Sequence, residues 1–110
     1  MARRRQRLEE VAALVCAAGF AKFASTPEIG LDAQDRMVDV NCRALAGVTR
    51  VCLPYLARGA QVLEVSSCAS FQPLPGLNAY AASKAFVRSF ARGLRWELRG
   101  RHVHVSAVCP

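Results

Sequence analysis

Residues 66–84 read SSCASFQPLPGLNAYAASK, and this stretch decides how the rest of the chain is arranged. It begins where the short β-branched run Gln61–Val65 (QVLEV) ends, so its serines stand at the end of a predicted strand. Pro73, Pro75 and Gly76 then mark a loop. Asn78 is suited to cap a helix from about Ala79 to Arg99, with Gly100 as its stop. Tyr80 and Lys84 fall one turn apart on the same face of that helix. An ammonium beside a phenol favours the phenolate, and a tyrosine tuned this way trades a proton with an alcohol or carbonyl oxygen near neutral pH. The Ser67 hydroxyl is placed to hold that oxygen, with Ser66 and Ser70 as near alternatives that spacing alone ranks below it. The spacing therefore points to oxidoreductase chemistry.

Working outward, Val11–Cys16 (VAALVC) is apolar without alternation, the pattern of a strand buried on both faces of a parallel sheet. Ala17, Ala18 and Gly19 follow, small residues that let a ligand approach the backbone. Phe20 to Leu31 reads as a loop. Asp32 is a credible N-cap, and Met37, Val40, Leu45, Val48, Val51, Cys52 and Leu56 recur at helical intervals. Pro54 closes this helix, and Arg58-Gly59 ends it with Gly59 left-handed. On the second long helix, Ala82, Phe86, Phe90 and Leu94 form the side expected to pack on the sheet. His102–Val108 (HVHVSAV) is a third strand. The order strand, helix, strand, helix, strand predicts an α/β fold with a parallel sheet of βαβαβ order.

With 110 residues the chain is one domain with a modest core, residues 1–110. No apolar run is long enough to span a bilayer. The arginines near the start are followed by Glu9 and Glu10, which disfavours a signal peptide. The five cysteines, Cys16, Cys42, Cys52, Cys68 and Cys109, are odd in number and none has C-x-x-C spacing. Neither a disulfide framework nor a metal site is supported, and a reducing cytoplasm is the expected setting. Part of the net charge of +7 comes from Arg3, Arg4, Arg5 and Arg7. Arg88, Arg92, Arg95 and Arg99 make a narrow stripe without an aromatic platform, which reads as solvated or interface-facing rather than as a nucleic-acid surface. His102 and His104 fall on one face of the third strand with no metal-ligand partners. The loop residues Phe71, Pro73, Leu74, Pro75 and Leu77 are apolar and fit either a nonpolar substrate pocket or core.

The chain resembles the central part of the short-chain dehydrogenase/reductase family. Tyr80-Ala-Ala-Ser-Lys84 matches the family's Tyr-x-x-x-Lys, and Ser67 has the usual spacing before the tyrosine. Asn41, in MVDVNCRAL, matches the asparagine of the preceding long helix, and Val108-Cys109-Pro110 matches the start of the Pro-Gly segment. The resemblance implies a partial Rossmann-like fold in which Asn41, Ser67, Tyr80 and Lys84 are catalytic. Tyr80 would be the general acid/base, Lys84 would lower its pKa and hold the nicotinamide ribose, Ser67 would orient the substrate oxygen, and Asn41 would hold a relay water. Ala18, Gly19, Tyr80, Lys84 and Pro110 would line the cofactor, NAD or NADP. A small alcohol or carbonyl substrate and a homo-oligomer built through the two long helices are also implied, with no membrane partner.

Three departures accompany the match. No glycine-rich G-x-G-x-x-G-like phosphate turn is present, nor the strands that carry it. The family's Asn-Asn-Ala-Gly is here Cys16-Ala17-Ala18-Gly19. The chain stops at Pro110, before the substrate-covering loop. The sequence therefore reads as a fragment, and the alternative expectation is an inactive piece acting only by association.

Overall fold

The computed structural model describes residues 11–110, so the Arg3–Glu10 segment lies outside the described residues. Strand β1 (Val11–Cys16) leads through a loop to helix α1 (Leu31–Val38), which continues through a π-helical stretch (Asp39–Ala44) into α2 (Leu45–Cys52). After a 3-10 turn over Leu53–Tyr55 come β2 (Leu56–Val65), α3 (Asn78–Leu98) and β3 (His104–Val108). The sheet order is β1-β2-β3 and both pairings are parallel. The α/β parallel architecture expected from the sequence is thus present. Leu14 faces Val62 and Val62 faces Val105, so the apolar runs meet at the sheet centre.

The core lies between the sheet and α3. Val62, Ala60 and Leu56 of β2 and Val105 of β3 pack with Ala91, Leu94 and Leu98. Cys16, Leu45 and Val87 join β1, α2 and α3 in a second cluster. Each buried valine or leucine contributes about 1.5–3 kcal/mol. Burial on both faces of β1 does not occur, because the described helices cover one face: Cys16 is buried while Val15 is 57% exposed.

The inner face of α3 also differs from expectation. It is Ala81, Lys84, Val87, Ala91, Leu94 and Leu98, whereas Ala82 is exposed and Phe86 is 42% exposed. Alanines at 81 and 91 let the helix lie close to the sheet, and the bulkier Phe86 and Phe90 stack on each other at its flank, 5.9 Å between centroids.

Several element ends shift for local reasons. Asn78 is the first helical residue rather than the cap, and its Nδ2 donates to Thr26 Oγ1 at 3.2 Å, joining two loops. Asp32 is the second residue of α1, behind Gly30. Gly59 has φ +84 as anticipated, but it sits inside β2, where the partners of β1 jump from Leu56 to Gln61. The left-handed residue after α3 is His102, with φ 56, not Gly100. His102 therefore precedes β3 and does not share a strand face with His104.

The long α1–α2 helix is where periodicity misleads most. Its buried residues are Met37, Asn41, Cys42, Leu45 and Thr49, while Val48 is 49% and Val51 is 70% exposed. Four-residue steps in a straight α-helix drift by about 40° each. The wider π turn takes up that drift, so every fourth residue returns inward and two polar side chains enter the core.

Candidate active site

The carboxyl ends of three parallel strands meet here. Ala18 and Gly19 follow β1, Ser67 follows β2, and Pro110 follows β3. Ser66 N donates to Val108 O at 2.7 Å and Cys68 N to Pro110 O at 3.0 Å, so Pro110 runs alongside Ser67. In open α/β sheets this edge is where ligands bind.

Asn41 is wholly buried on the π turn. Its Oδ1 accepts from Phe20 N at 3.0 Å, and its Nδ2 donates to Phe20 O and to Ser83 Oγ, each at 3.0 Å. Both amide hydrogens are therefore committed, and neither is left for a water. The effect is a tie between the loop after β1, the long helix and α3.

Lys84 is 4% exposed. Its Nζ donates to Val65 O at 3.2 Å and lies 5.8 Å from the Tyr80 ring centroid. Burial pushes the Lys84 pKa below the ordinary lysine value, and the neighbouring Cys42 thiol opposes this in part. Burial likewise raises Cys42, while the Lys84 charge pulls it down. Gly19 closes the arrangement: a Cβ there would stand 2.8 Å from Asn41 Oδ1 and 3.1 Å from Lys84 Nζ. Only glycine leaves room for both polar groups at that point.

Three serines compete for the oxygen-holding position, and the structure separates them. Ser66 is buried and spends its proton on Lys84 O at 2.6 Å. Ser70 is buried, and its hydroxyl has no hydrogen-bond partner among the described residues. Ser67 is half-buried, opens a 3-10 turn and accepts from Ala69 N at 3.2 Å, which leaves its own proton to give. Tyr80 is half-buried in the first turn of α3, on the same side as Lys84.

Sequence reasoning missed a second buried polar group. Glu64 on β2 is wholly buried and pairs across the sheet with Cys16. Thr49 Oγ1 lies 2.8 Å from Glu64 Oε1 and 2.9 Å from Leu45 O, with Cys16 Sγ at 3.6 Å. Glu64 Oε2 has no partner among the described residues. Burial drives the Glu64 carboxyl up from its ordinary pKa, against weaker opposing hydrogen bonds from Thr49 and Cys16. Thr49 has one hydroxyl proton for two acceptors. A neutral Glu64 that donates to Thr49 frees that proton for Leu45 O and satisfies both contacts. The only signal in the sequence was a lone glutamate in an apolar strand.

The arginine stripe is largely engaged within the fold. Arg88 lies 4.5 Å over Phe71 and donates to Ser70 O, Arg95 donates to Val105 O, and Arg99 lies 4.6 Å over Trp96. Aromatic rings do stand beside the stripe, but arginines cover them. Among the described residues no cluster of three or more metal-type side chains exists, and no helix is long and apolar enough to cross a membrane.

The family model described as short chain dehydrogenase matches residues 1–110. The chain is 38% identical to sulfoacetaldehyde reductase 2 of Chromohalobacter salexigens, over 96% of this chain and 43% of that protein. It is 40% identical to serine 3-dehydrogenase of Rhizobium radiobacter, over 79% of this chain and 35% of that protein. The chain thus spans less than half the length of these relatives. Among solved structures, an angucycline C-6 ketoreductase with bound NADP superposes with TM-score 0.87 at 26% identity, covering 92% of this chain and 39% of the other.

Proposed function

The chain belongs to the short-chain dehydrogenase family, and from that membership we propose that it carries the proton-transfer centre of a NAD(P)-dependent oxidoreductase interconverting an alcohol and a carbonyl. One observation carries the reading: Lys84, buried and bonded to Val65 O, stands one turn from Tyr80 beneath a glycine that has no room for a side chain. A buried ammonium held this way has few structural uses beyond acting on its neighbours.

The residues present fit the nicotinamide half of the cofactor. Ala18 and Gly19 offer exposed backbone at the carboxyl edge, and Lys84 keeps donors beyond the one given to Val65 O. When bound, the cofactor supplies the hydride. Tyr80 gives its phenolic proton to the substrate oxygen in reduction and takes it back in oxidation. Ser67 donates its free proton to that oxygen and holds it in place. Lys84 stabilises charge that develops on the phenol, and Asn41 fixes the loop and helix between which Lys84 sits. The loops 25–27 and 73–76 form an open, largely apolar groove lined by Pro27, Pro73, Leu74 and Pro75 near the first turn of α3, a surface that suits the nonpolar body of a substrate.

Val48, Val51, Phe86 and Trp96 are exposed on α2 and α3 and suit pairing with a second copy. All five cysteines are free, in keeping with a cytoplasmic, reducing setting. The competing reading is association without catalysis, which the exposed apolar residues of α2 and α3 support. A carbonyl panel with NADH and NADPH separates the two. Activity should appear and fall about 10²–10⁴-fold in Tyr80→Phe. Activity that survives this substitution removes the mechanism, and an inactive chain that self-associates favours the competing reading.

A further inference from the structure

We propose that Ser66 and Ser83 are positioning residues that set where Tyr80 and Lys84 stand. Each bonds the backbone carbonyl of one member of the pair. Ser83 Oγ donates to Tyr80 O at 2.7 Å, and Ser66 Oγ donates to Lys84 O at 2.6 Å. Both serines are 3% exposed, so neither bond is shared with solvent.

These carbonyls are already acceptors in the helical ladder, and the hydroxyls use a second lone pair. Helix α3 does not need them to satisfy its backbone. What they add is sideways attachment to two other elements. Ser83 also accepts from Asn41 Nδ2, which closes on Phe20, so Tyr80 is tied to the long helix and to the loop after β1. Ser66 ends β2, and its neighbour Val65 takes the Lys84 ammonium, so one strand end grips Lys84 at both its backbone and its tip. Beyond these bonds and a weaker one from Cys42 Sγ to Ser83 O at 3.5 Å, the contacts of this turn are small. Ala81 and Val87 flank it, and such smooth surfaces permit rotation about the helix axis. The Asn41–Ser83 bond from the long helix and the Ser66–Lys84 bond from the end of β2 come from different directions and remove that freedom, and the Ser83–Tyr80 bond carries the first of them to the Tyr80 backbone. A displacement of about 1 Å in a catalytic pair costs on the order of 10²-fold in rate.

The catalytic part of this claim rests on the oxidoreductase reading, but the chain offers a readout that does not. It has two lysines, the exposed Lys22 and the buried Lys84. Reductive methylation followed by mass spectrometry reports the Lys84 rate with Lys22 as internal reference. Ser66→Ala and Ser83→Ala should each raise the Lys84:Lys22 ratio about fivefold by making local opening easier. They should lower kcat about tenfold or more with KM little changed. Ser66→Cys and Ser83→Cys keep the shape and weaken the bond, and they should move both readouts in the same direction by a smaller step. They decide the question if the alanine variants do not fold. Folded variants with an unchanged labelling ratio and unchanged kcat overturn the proposal. A wild-type chain silent toward every carbonyl defeats the oxidoreductase reading alone, and the labelling ratio still decides whether the serines position the pair.

Discussion

Asn41 and Glu64 are both wholly buried polar side chains, one on a helix and one on a strand, in opposite circumstances. Asn41 finds a protein partner for its oxygen and for both amide hydrogens. Glu64 has one oxygen against Thr49, and the other has no hydrogen-bond partner among the described residues. A satisfied polar network specifies a single arrangement, whereas an unsatisfied one stores a cost. The first lies beside Gly19 and Lys84, and the second lies on the central strand of the sheet, beside Cys16.

The comparison breaks most visibly at Asn41. Asn41→Leu leaves Phe20 N–H and Phe20 C=O without their partner and takes from Ser83 Oγ the N–H it accepts, and should cost about 4 kcal/mol in chemical denaturation. A loss under about 1 kcal/mol would show that the tie is not structural. Next in size is Gly19→Ala. The new methyl meets Asn41 Oδ1 at 2.8 Å, and that oxygen is locked by its own bonds. A loss of about 2 kcal/mol is expected, with Lys84 labelling increased because its tip is the softer neighbour.

Glu64→Gln should act the other way. Its folded pKa is raised, so the stability it contributes is present below the unfolded carboxylate pKa and is lost as pH rises through the folded value. Between those two points the wild type should lose about 1.4 kcal/mol per pH unit relative to Glu64→Gln. Denaturation curves for both chains across that range check it, and parallel pH profiles would mean that Glu64 is ionised in the fold. Lys84 runs oppositely. Its lowered pKa favours the folded state as pH rises from the folded value towards the ordinary lysine value, and the Glu64→Gln background isolates that trend.

Much of this was legible in the sequence and some was not. Tyr80, Lys84, Ser67 and Asn41 stand at spacings that survive any small error in element ends. The strand order followed from apolar runs long enough to be unambiguous. The faces of the helices did not follow. Val48 and Val51 look like core and point outward, while Thr49 and Asn41 look like surface and point inward. Periodicity presumes a constant turn, and the π stretch violates it. Glu64 was invisible for a related reason: an apolar strand announces burial, and nothing local tells whether its one acid has a partner. Ser66 was passed over because spacing ranks serines by distance from Tyr80, not by where their protons go.

The wide turn at Asp39–Ala44 also bears on which changes of length the chain tolerates. It amounts to one surplus residue in an otherwise regular helix. Removing one residue there would restore an unbroken α-helix and keep Leu31–Val38 and Leu45–Cys52 nearly in phase, because seven steps of about 100° fall only about 20° short of two turns. What would be lost is the bulge that carries Asn41 to Phe20. A deletion inside the turn should therefore spare the packing of Met37 and Leu45 while removing the Asn41 tie, whereas a deletion outside it would rotate one half of the helix by about 100° against the other.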